Sequence, residues 1–235
     1  MCCRYLLLKE HLIEISVSFG LGEPEDFRSR YNIAPGEAIP AMVVRQPGKR
    51  PAAARLNWGL LPAFAKAAAD GRFPNARAET LAAKPSFRDA FRHRRCLVPA
   101  SGFYEWEVRG RARLPWLFRT PEARPFFLAG IWESRRLPDG RDYGTCAIVT
   151  TAPNGLMRPI HHRMPLLIAR EEADRWLEPG AAAADRLAPL LHPADAGVLA
   201  TARVGQRVNR VGHDDPDCLL PPEPDRGLTL DLEFA

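Results

Sequence analysis

The hydrophobic pattern carries its strongest strand signal in the middle third of the chain. Four segments there are rich in aromatic and β-branched residues, with turn-forming residues between them: CLVPASGFYEWEV, PWLFRT, PFFLAGIWESRRL and DYGTCAIVTT. The Asp-Gly pair in LPDGRDY is typical of a hairpin turn. We therefore predict a mainly antiparallel sheet built from the middle of the chain.

The flanking thirds predict shorter elements. AIPAMVVR is predicted as a strand, and the Gly and Pro residues of NWGLLPAFAKAAADGRFPNARAET predict a surface loop. Phe87 and Phe91 stand at a helical spacing within KPSFRDAFRHRR. Two short helices are predicted in EEADRWL and ADRLAPLL, and the tail from VNRVGHDDP onward is expected to be mostly irregular.

These elements predict an α+β fold: one domain with a mainly antiparallel β core and short flanking helices. The chain has 235 residues, with no internal repeat and no long linker. Its 23 prolines and 17 glycines favour many short elements joined by turns. We place the domain at residues 2–220 and a C-terminal tail at residues 221–235.

Composition excludes a membrane-spanning protein and favours a cytoplasmic one. No apolar stretch approaches the ~18 residues that a membrane-spanning helix needs. MCCRYLLLKEHLIEI is a poor signal peptide because Lys9, Glu10 and His11 interrupt its short apolar run. We expect no membrane partner.

The five cysteines are odd in number and show no CxxC or Cys/His ligand spacing, so neither a disulfide framework nor a zinc site is indicated. Cys96, Cys146 and Cys218 are predicted to be small buried residues. Cys2 differs because it follows the start methionine. Removal of Met1 would leave a free α-amine beside its thiol, a pair that condenses with aldehydes to a five-membered thiazolidine ring.

The charge balance is basic, with a formal charge of +5 and a pI of about 9.2. Of the 33 basic residues, four are lysine and 29 are arginine. One interpretation is codon bias in a GC-rich genome. The other is contact with phosphate groups, which the planar fork of arginine suits. Net charge alone does not separate the two.

Glu105 is the first candidate for chemistry. Strand alternation in GFYEWEV places it on one face with Phe103 and Glu107. Flanking aromatic residues would desolvate its carboxyl group in part and raise its pKa toward a value useful for proton transfer. The alternative is a solvated strand residue.

His161 and His162 are the second candidates, because histidine is the side chain best matched to proton transfer near neutrality. On an extended backbone two adjacent rings point apart, so we expect at most one of them to face a given site. A histidine pair at the surface or in a packing role is the alternative.

Three further polar residues are candidates. Asn75 follows a proline and can both donate and accept hydrogen bonds, although a turn-forming asparagine is the alternative. Arg77 can hold a phosphate bidentately, and its alternative is a solvated arginine. Arg4, two residues beyond Cys2, would lie on the same side as Cys2 in an extended segment.

Taken together, the motifs closely resemble the SRAP family, named as SOS-response-associated peptidases. The collinear pieces are MCxRY, YNIAP, NWGLLP, NARAET, KPSFRDAFRHRRCLVPASGFYEW, AGIWE, TCAIVTTAPN, IHHRMP and a late VN…DDP. The resemblance runs from residue 2 to about residue 220, and GFYEW and NARAET are its most specific pieces. It implies a protein that binds single-stranded DNA and traps abasic sites through a covalent crosslink from its N-terminal cysteine.

The resemblance also implies the roles of individual residues. By motif position, the catalytic residues would be Cys2, Asn75, Glu105 and His161. The DNA contacts would be Arg4, Arg77 and Arg163. It implies no metal or organic cofactor, and we expect a monomer whose partner is single-stranded DNA with abasic sites.

This chain departs from the family pattern at two positions. The family usually reads MCGR, whereas Cys3 here adds a side chain where glycine has none. Cys3 carries a thiol, but its nitrogen is an amide, so it cannot close the same ring. The family's HDRMP reads HHRMP here, with His162 in place of aspartate.

Two alternatives stay open. Lyase-type activity would accompany the abasic-site chemistry. The first alternative is a peptidase, because an N-terminal cysteine with a glutamate and a histidine can process a peptide bond, by removing its own leader or by cleaving other chains. Only Met1 precedes Cys2, so we expect no long leader to be cleaved. The second is a single-strand-binding module without covalent chemistry. Three aromatic residues are candidates for stacking on DNA bases, and the alternative is that they pack in the core: Trp58, Phe64 and Phe73.

Overall fold

Two β-sheets and four short helices form the framework of this computed structural model, which describes residues 2–24, 26–65 and 72–223. The strands are β1 (Tyr5–Leu7), β2 (Arg30–Ile33), β3 (Ala38–Val43), β4 (Ala52–Trp58), β5 (Asn75–Arg77), β6 (Arg95–Ala100), β7 (Gly102–Arg109), β8 (Ala112–Arg119), β9 (Phe126–Arg136), β10 (Asp142–Thr151), β11 (Met164–Pro165), β12 (Leu167–Ile168) and β13 (Ala200–Arg203). The helices are α1 (Lys9–Ser18), α2 (Pro85–His93), α3 (Ala173–Leu177) and α4 (Ala181–Asp185). None of the helices in these ranges is long and apolar enough to cross a membrane.

The smaller sheet brings the amino-terminal strand against β7. Its strand order is β13-β8-β7-β1-β2, and Tyr5 of β1 lies opposite Phe103 of β7. Gly102 permits this approach, because a Cβ atom there would lie 2.8 Å from a methyl carbon of Leu6 and 2.9 Å from the carbonyl oxygen of Phe118. The first residues of the chain are therefore held beside the strand that carries Glu105.

The larger sheet brings the NARAET and HHRMP segments together. Its order is β11-β10-β4-β3-β6-β9-β12, and the strand path closes because β9 pairs with β10 as well as with β6. Strand β5 runs parallel to β10, with Asn75 opposite Ile148. Strand β11 pairs with the last residues of β10, where Thr150 lies opposite Pro165. Asn75 and the segment before β11 are thereby placed at one end of β10.

The core has two main parts. One face of the larger sheet packs against the smaller sheet, and the shared cluster includes Tyr5, Trp58, Phe103, Phe118 and Ile148. Another cluster joins the larger sheet to the helices, with Phe87 and Phe91 of α2 and Trp176 of α3. Amphipathic elements are thus covered on their apolar sides, as layered α+β packing requires.

The structure confirms the predicted fold class, the helix around Phe87 and Phe91, and the β9–β10 hairpin at Asp-Gly. Cys96, Cys146 and Cys218 are buried free thiols, as predicted. The prediction of one helix over ADRLAPLL is wrong. Helix α4 ends at Asp185, and a separate 3-10 turn covers Ala188–Leu190, since Pro189 cannot continue an α-helix. Sequence reasoning also missed α1.

A buried amide links the YNIAP segment to the C-terminal segment. The Nδ2 atom of fully buried Asn32 lies 3.2, 3.0 and 2.8 Å from the carbonyl oxygens of Val208, Arg210 and His213. Asp214 accepts hydrogen bonds from the backbone N–H groups of Tyr31 and Asn32 at 2.6 and 2.9 Å. These contacts hold residues 208–214 against β2.

We expect Asn32→Ala to lower the free energy of unfolding by about 2–4 kcal/mol, because it removes these three hydrogen bonds and takes away the donor to the carbonyl group of buried Val208. Urea denaturation followed by tryptophan fluorescence measures the change. Asp142→Ala is the matched control, since its ion pair with Arg136 is exposed and is worth less than about 1 kcal/mol. Equal losses for the two variants would contradict this assignment.

Candidate active site

Cys2 is fully buried just before β1 and is fixed by the NARAET segment. The Nδ2 atom of Asn75 donates to the carbonyl oxygen of Cys2 at 2.9 Å. Burial raises the pKa of the Cys2 thiol well above its ordinary value, and the nearby charge of Glu105 acts in the same direction. The thiol is therefore uncharged at neutral pH and needs a base to become a nucleophile.

Glu105 is the buried carboxylic acid beside this cysteine. It lies on β7 and only 2% of its surface is exposed. Desolvation by burial raises the pKa of Glu105 to about 7. The predicted desolvation is thus present, and the carboxyl group can either accept or release a proton near neutral pH.

His161 completes the cluster from the segment before β11. Its Nδ1 atom lies 3.9 Å from Oε2 of Glu105. The same atom lies 3.1 Å from the backbone nitrogen and 3.0 Å from the carbonyl oxygen of Arg163. Unprotonated Nδ1 can therefore accept from the backbone N–H, and protonated Nδ1 can donate to the carbonyl oxygen. Burial lowers the pKa of His161, which favours the neutral ring.

The prediction that the two histidine rings point apart is wrong. The ring centroids of His161 and His162 lie only 4.4 Å apart, with an angle of 35° between the planes. The backbone is not extended there, since residues 155–160 form turns and the N–H of His161 donates to the carbonyl of Met157 at 2.9 Å. His162 is the exposed member of the pair.

Arg163 links the two motif segments through a carboxylate that sequence reasoning missed. Its guanidinium donates to both carboxylate oxygens of Glu79, at 2.7 and 2.9 Å, and to the carbonyl of Thr150 at 2.6 Å. Hydrogen bonding from Arg163 lowers the pKa of Glu79, so the pair is ionic at neutral pH. The sequence signal for this ion pair was the opposite charge of Glu79 in NARAET and Arg163 in IHHRMP.

The other two predicted DNA contacts occupy different environments. Arg77 is exposed at the end of β5. Arg4 is partly buried, with its guanidinium over the ring of Trp106 at 5.8 Å from the centroid. Cys2 packs in the core between the sheets, whereas Trp106 packs on the opposite side of β7, so the expectation that Arg4 and Cys2 share a side is wrong.

The three candidate stacking residues also separate. Trp58 is fully buried and its indole N–H donates to the carbonyl of Pro74 at 2.8 Å. Phe73 packs edge-on against Phe87, with centroids 5.3 Å apart. Phe64 alone among these three is largely exposed, at 65%. Trp58 and Phe73 are therefore core residues.

The site combines a buried thiol, a carboxyl group with a pKa near neutrality and a neutral imidazole. Each sheet supplies half of it: the smaller sheet positions Cys2 and Glu105, and the larger sheet positions Asn75 and His161. Within the described ranges, no three His, Cys, Asp or Glu residues are grouped so that they could hold a metal ion. The arrangement suits proton transfer to and from nucleophiles at the amino terminus.

This geometry defines a class of protein: a two-sheet α+β scaffold in which a cysteine, a glutamate and a histidine come together at the amino-terminal strand. The chain belongs to the SOS response associated peptidase (SRAP) family, whose model matches residues 1–211. It is 35% identical over 224 residues to the abasic site processing protein YoqW of Bacillus subtilis, covering 93% of this chain and 99% of that protein.

The chain is also similar to more distant proteins. The abasic site processing protein HMCES of Gallus gallus is 28% identical over 228 residues, which cover 84% of this chain and 67% of HMCES. A solved structure of a Bacteroides thetaiotaomicron protein superimposes with a TM-score of 0.81 at 25% identity, covering 94% of this chain and 100% of that chain.

The buried carboxyl group should make stability depend on pH in a defined direction. An unfolded glutamate has a pKa of about 4.3, whereas Glu105 in the folded protein titrates at about 7. Between these values the folded state binds more protons than the unfolded state, so raising the pH destabilises the fold. Glu105→Gln removes this cost, and we expect it to be more stable than the wild type at pH 8 by about 1–3 kcal/mol.

Urea denaturation at pH 5 and pH 8 measures this difference, which should be small at pH 5. Glu107→Gln is the matched control on the same strand. A hydrogen bond from Arg109 lowers the pKa of Glu107, so its replacement should not stabilise the protein at pH 8. A Glu105→Gln variant that gains nothing between pH 5 and pH 8 would contradict the assigned burial.

Proposed function

We propose that this protein captures abasic sites in single-stranded DNA through a thiazolidine formed by Cys2 after removal of Met1. The observation that carries the proposal is the buried Glu105 carboxyl group, with a pKa of about 7, beside Cys2 and 3.9 Å from His161. Relatives named abasic site processing proteins support the choice of substrate.

The first step forms the bond to nitrogen. Hydrolysis of the bond to Met1 frees the α-amine of Cys2, whose reference pKa of about 7.7–8.0 leaves a neutral fraction near pH 7. The amine attacks the aldehyde of the ring-opened deoxyribose to give a carbinolamine. Loss of one water molecule then gives an imine, and Glu105 accepts and returns the protons involved.

The second step forms the bond to sulfur. The Cys2 thiol is protonated because burial raises its pKa, so it must give up its proton as it attacks the imine carbon. Glu105 is the neighbouring base, and the proton moves to the imine nitrogen as the five-membered ring closes. The net reaction joins protein and DNA with the loss of one water.

His161 and Asn75 serve the sugar and the backbone. Neutral His161 takes the proton from the C1′ hydroxyl group of the closed sugar as the C1′–O4′ bond breaks, and the proton passes to the departing ring oxygen, which leaves the open aldehyde. Asn75 donates to the carbonyl oxygen of Cys2 at 2.9 Å and so orients the amine and thiol for attack. Its Oδ1 atom is buried without a hydrogen-bond partner among the described residues and can accept from the sugar.

Single-stranded DNA suits this site because the reacting carbon must reach Cys2, which is fully buried. Arg77 is exposed beside Asn75 and is our main candidate for a phosphate contact. Arg163 would have to exchange its bonds to Glu79 to reach a phosphate, and Arg4 would have to leave Trp106. Phe64 is the exposed aromatic side chain available for stacking on a base.

Incubation with a uracil-containing single-stranded oligonucleotide tests covalent capture. We expect a heat-stable conjugate on a denaturing gel only when uracil glycosylase is present, and none with Cys2→Ala, because the variant lacks the sulfur that closes the ring. Cys3→Ala is the matched control and should retain capture. Intact mass should show that Met1 is absent from the reactive chain.

Each other outcome points to a different function. A conjugate of equal yield from Cys2→Ala would contradict the thiazolidine. Binding of the oligonucleotide without any conjugate would favour a passive single-strand-binding module. Cleavage of a peptide library that is lost in Cys2→Ala would favour the peptidase activity in the family's name.

The salt dependence of binding tests the role of Arg77. We expect Arg77→Ala to weaken binding of undamaged single-stranded DNA about equally for all sequences, and to reduce the slope of log affinity against log salt by about 0.7, the loss of one phosphate contact. Fluorescence anisotropy between 50 and 300 mM salt is the measurement. Arg111→Ala, in the exposed β7–β8 turn, should leave the slope unchanged. Equal slopes for Arg77→Ala and the wild type would remove Arg77 from the interface.

A further inference from the structure

We propose that His162 is a positioning residue that opposes protonation of its neighbour His161 as the pH falls below neutral. The proposal rests on the proposed role of His161 in opening the abasic sugar. The uncharged ring is the form that can take a proton from the sugar hydroxyl. His162 would therefore set the lower pH limit of capture without touching the DNA.

The geometry of the ring pair carries this inference. The ring centroids lie 4.4 Å apart with the planes tilted by 35°, which is contact distance for two aromatic rings. His161 is mostly covered, with 18% of its side chain exposed, whereas His162 is exposed. A positive charge on one ring therefore interacts electrostatically with the other ring at contact distance.

The turn that carries the pair is held in place. The side-chain oxygen of Asn154 accepts from the backbone N–H of Met157 at 2.9 Å, and its Nδ2 donates to the carbonyl of Ala194 at 2.9 Å. The backbone of His161 in turn donates to the carbonyl of Met157 at 2.9 Å. The ring contact is thus part of a fixed backbone conformation.

The charged groups around His161 act in opposite directions. Among the described residues, Glu105 on β7 faces it at 3.9 Å and favours the imidazolium when ionised. His162 and Arg163 disfavour it, although the guanidinium of Arg163 is turned toward Glu79. Two imidazolium rings at 4.4 Å repel each other, so a proton on exposed His162 opposes a proton on His161.

Replacement of His162 by a carboxylate should reverse this effect. An aspartate would place a negative charge near the position that the ring now occupies and would stabilise the imidazolium of His161. Glutamine keeps a polar side chain of moderate size but has no charge at any pH. The series of wild type, His162→Gln and His162→Asp therefore varies the neighbouring charge in steps.

NMR titration of the His161 ring in the DNA-free protein tests the coupling. We expect the midpoint to rise from wild type to His162→Gln and to rise further in His162→Asp, by about one pH unit relative to the wild type. His93→Gln, at the exposed end of α2, should leave it unchanged. A midpoint that is the same in all variants would overturn the proposal.

Capture rates from pH 5 to pH 8 test whether the coupling is used. Below both midpoints, a shift of one pH unit should make His162→Asp up to about tenfold slower than the wild type, while the two rates converge at pH 8. Superimposable pH profiles would overturn the proposal even if the midpoints differ. A wild type that forms no conjugate would overturn the proposed function, and the NMR series would still decide whether His162 controls the charge of His161.

Discussion

The burial of the amino-terminal strand, which pairs with β7 in the smaller sheet and packs against the larger sheet, is the constraint on which the site depends. Tyr5 lies opposite Phe103, and the close approach at Gly102 leaves no room for a larger residue. This packing removes water from Cys2 and Glu105 together. Without that desolvation Glu105 would be an ordinary carboxylate at pH 7, with a pKa far too low to exchange protons near neutrality.

The two halves of the site are joined by polar contacts that cross between the sheets and motifs. Asn75 holds the backbone of Cys2, and Arg163 ties the HHRMP segment to Glu79. These contacts fix the relative positions of the Cys2 thiol, the Glu105 carboxyl group and the His161 imidazole. A buried carboxyl group lowers stability at alkaline pH, so the raised pKa of this group comes with a loss of folding stability.

Local sequence patterns predicted most helices and strands, but they did not predict contacts between residues that are far apart in the chain. The spacing of Phe87 and Phe91 identified α2, and alternation in GFYEWEV placed Glu105 on the same face of β7 as Phe103, which the structure shows to be the inner face. Residue chemistry made Cys2, Asn75 and His161 candidates, and the family resemblance implied their roles. The ring contact of His161 with His162 depends on a turn, and the Arg163–Glu79 pair spans 84 positions, so neither followed from local periodicity.

The most direct test of the account is the bonding of Cys2 in the isolated conjugate, determined by tandem mass spectrometry after proteolysis and nuclease digestion. We expect a chain without Met1 in which the nitrogen and sulfur of Cys2 are both bonded to one sugar carbon. The mass of the conjugate should be lower by one water than the summed masses of the protein and the DNA. A conjugate that retains Met1, or one attached through Cys3 or a lysine, would contradict it.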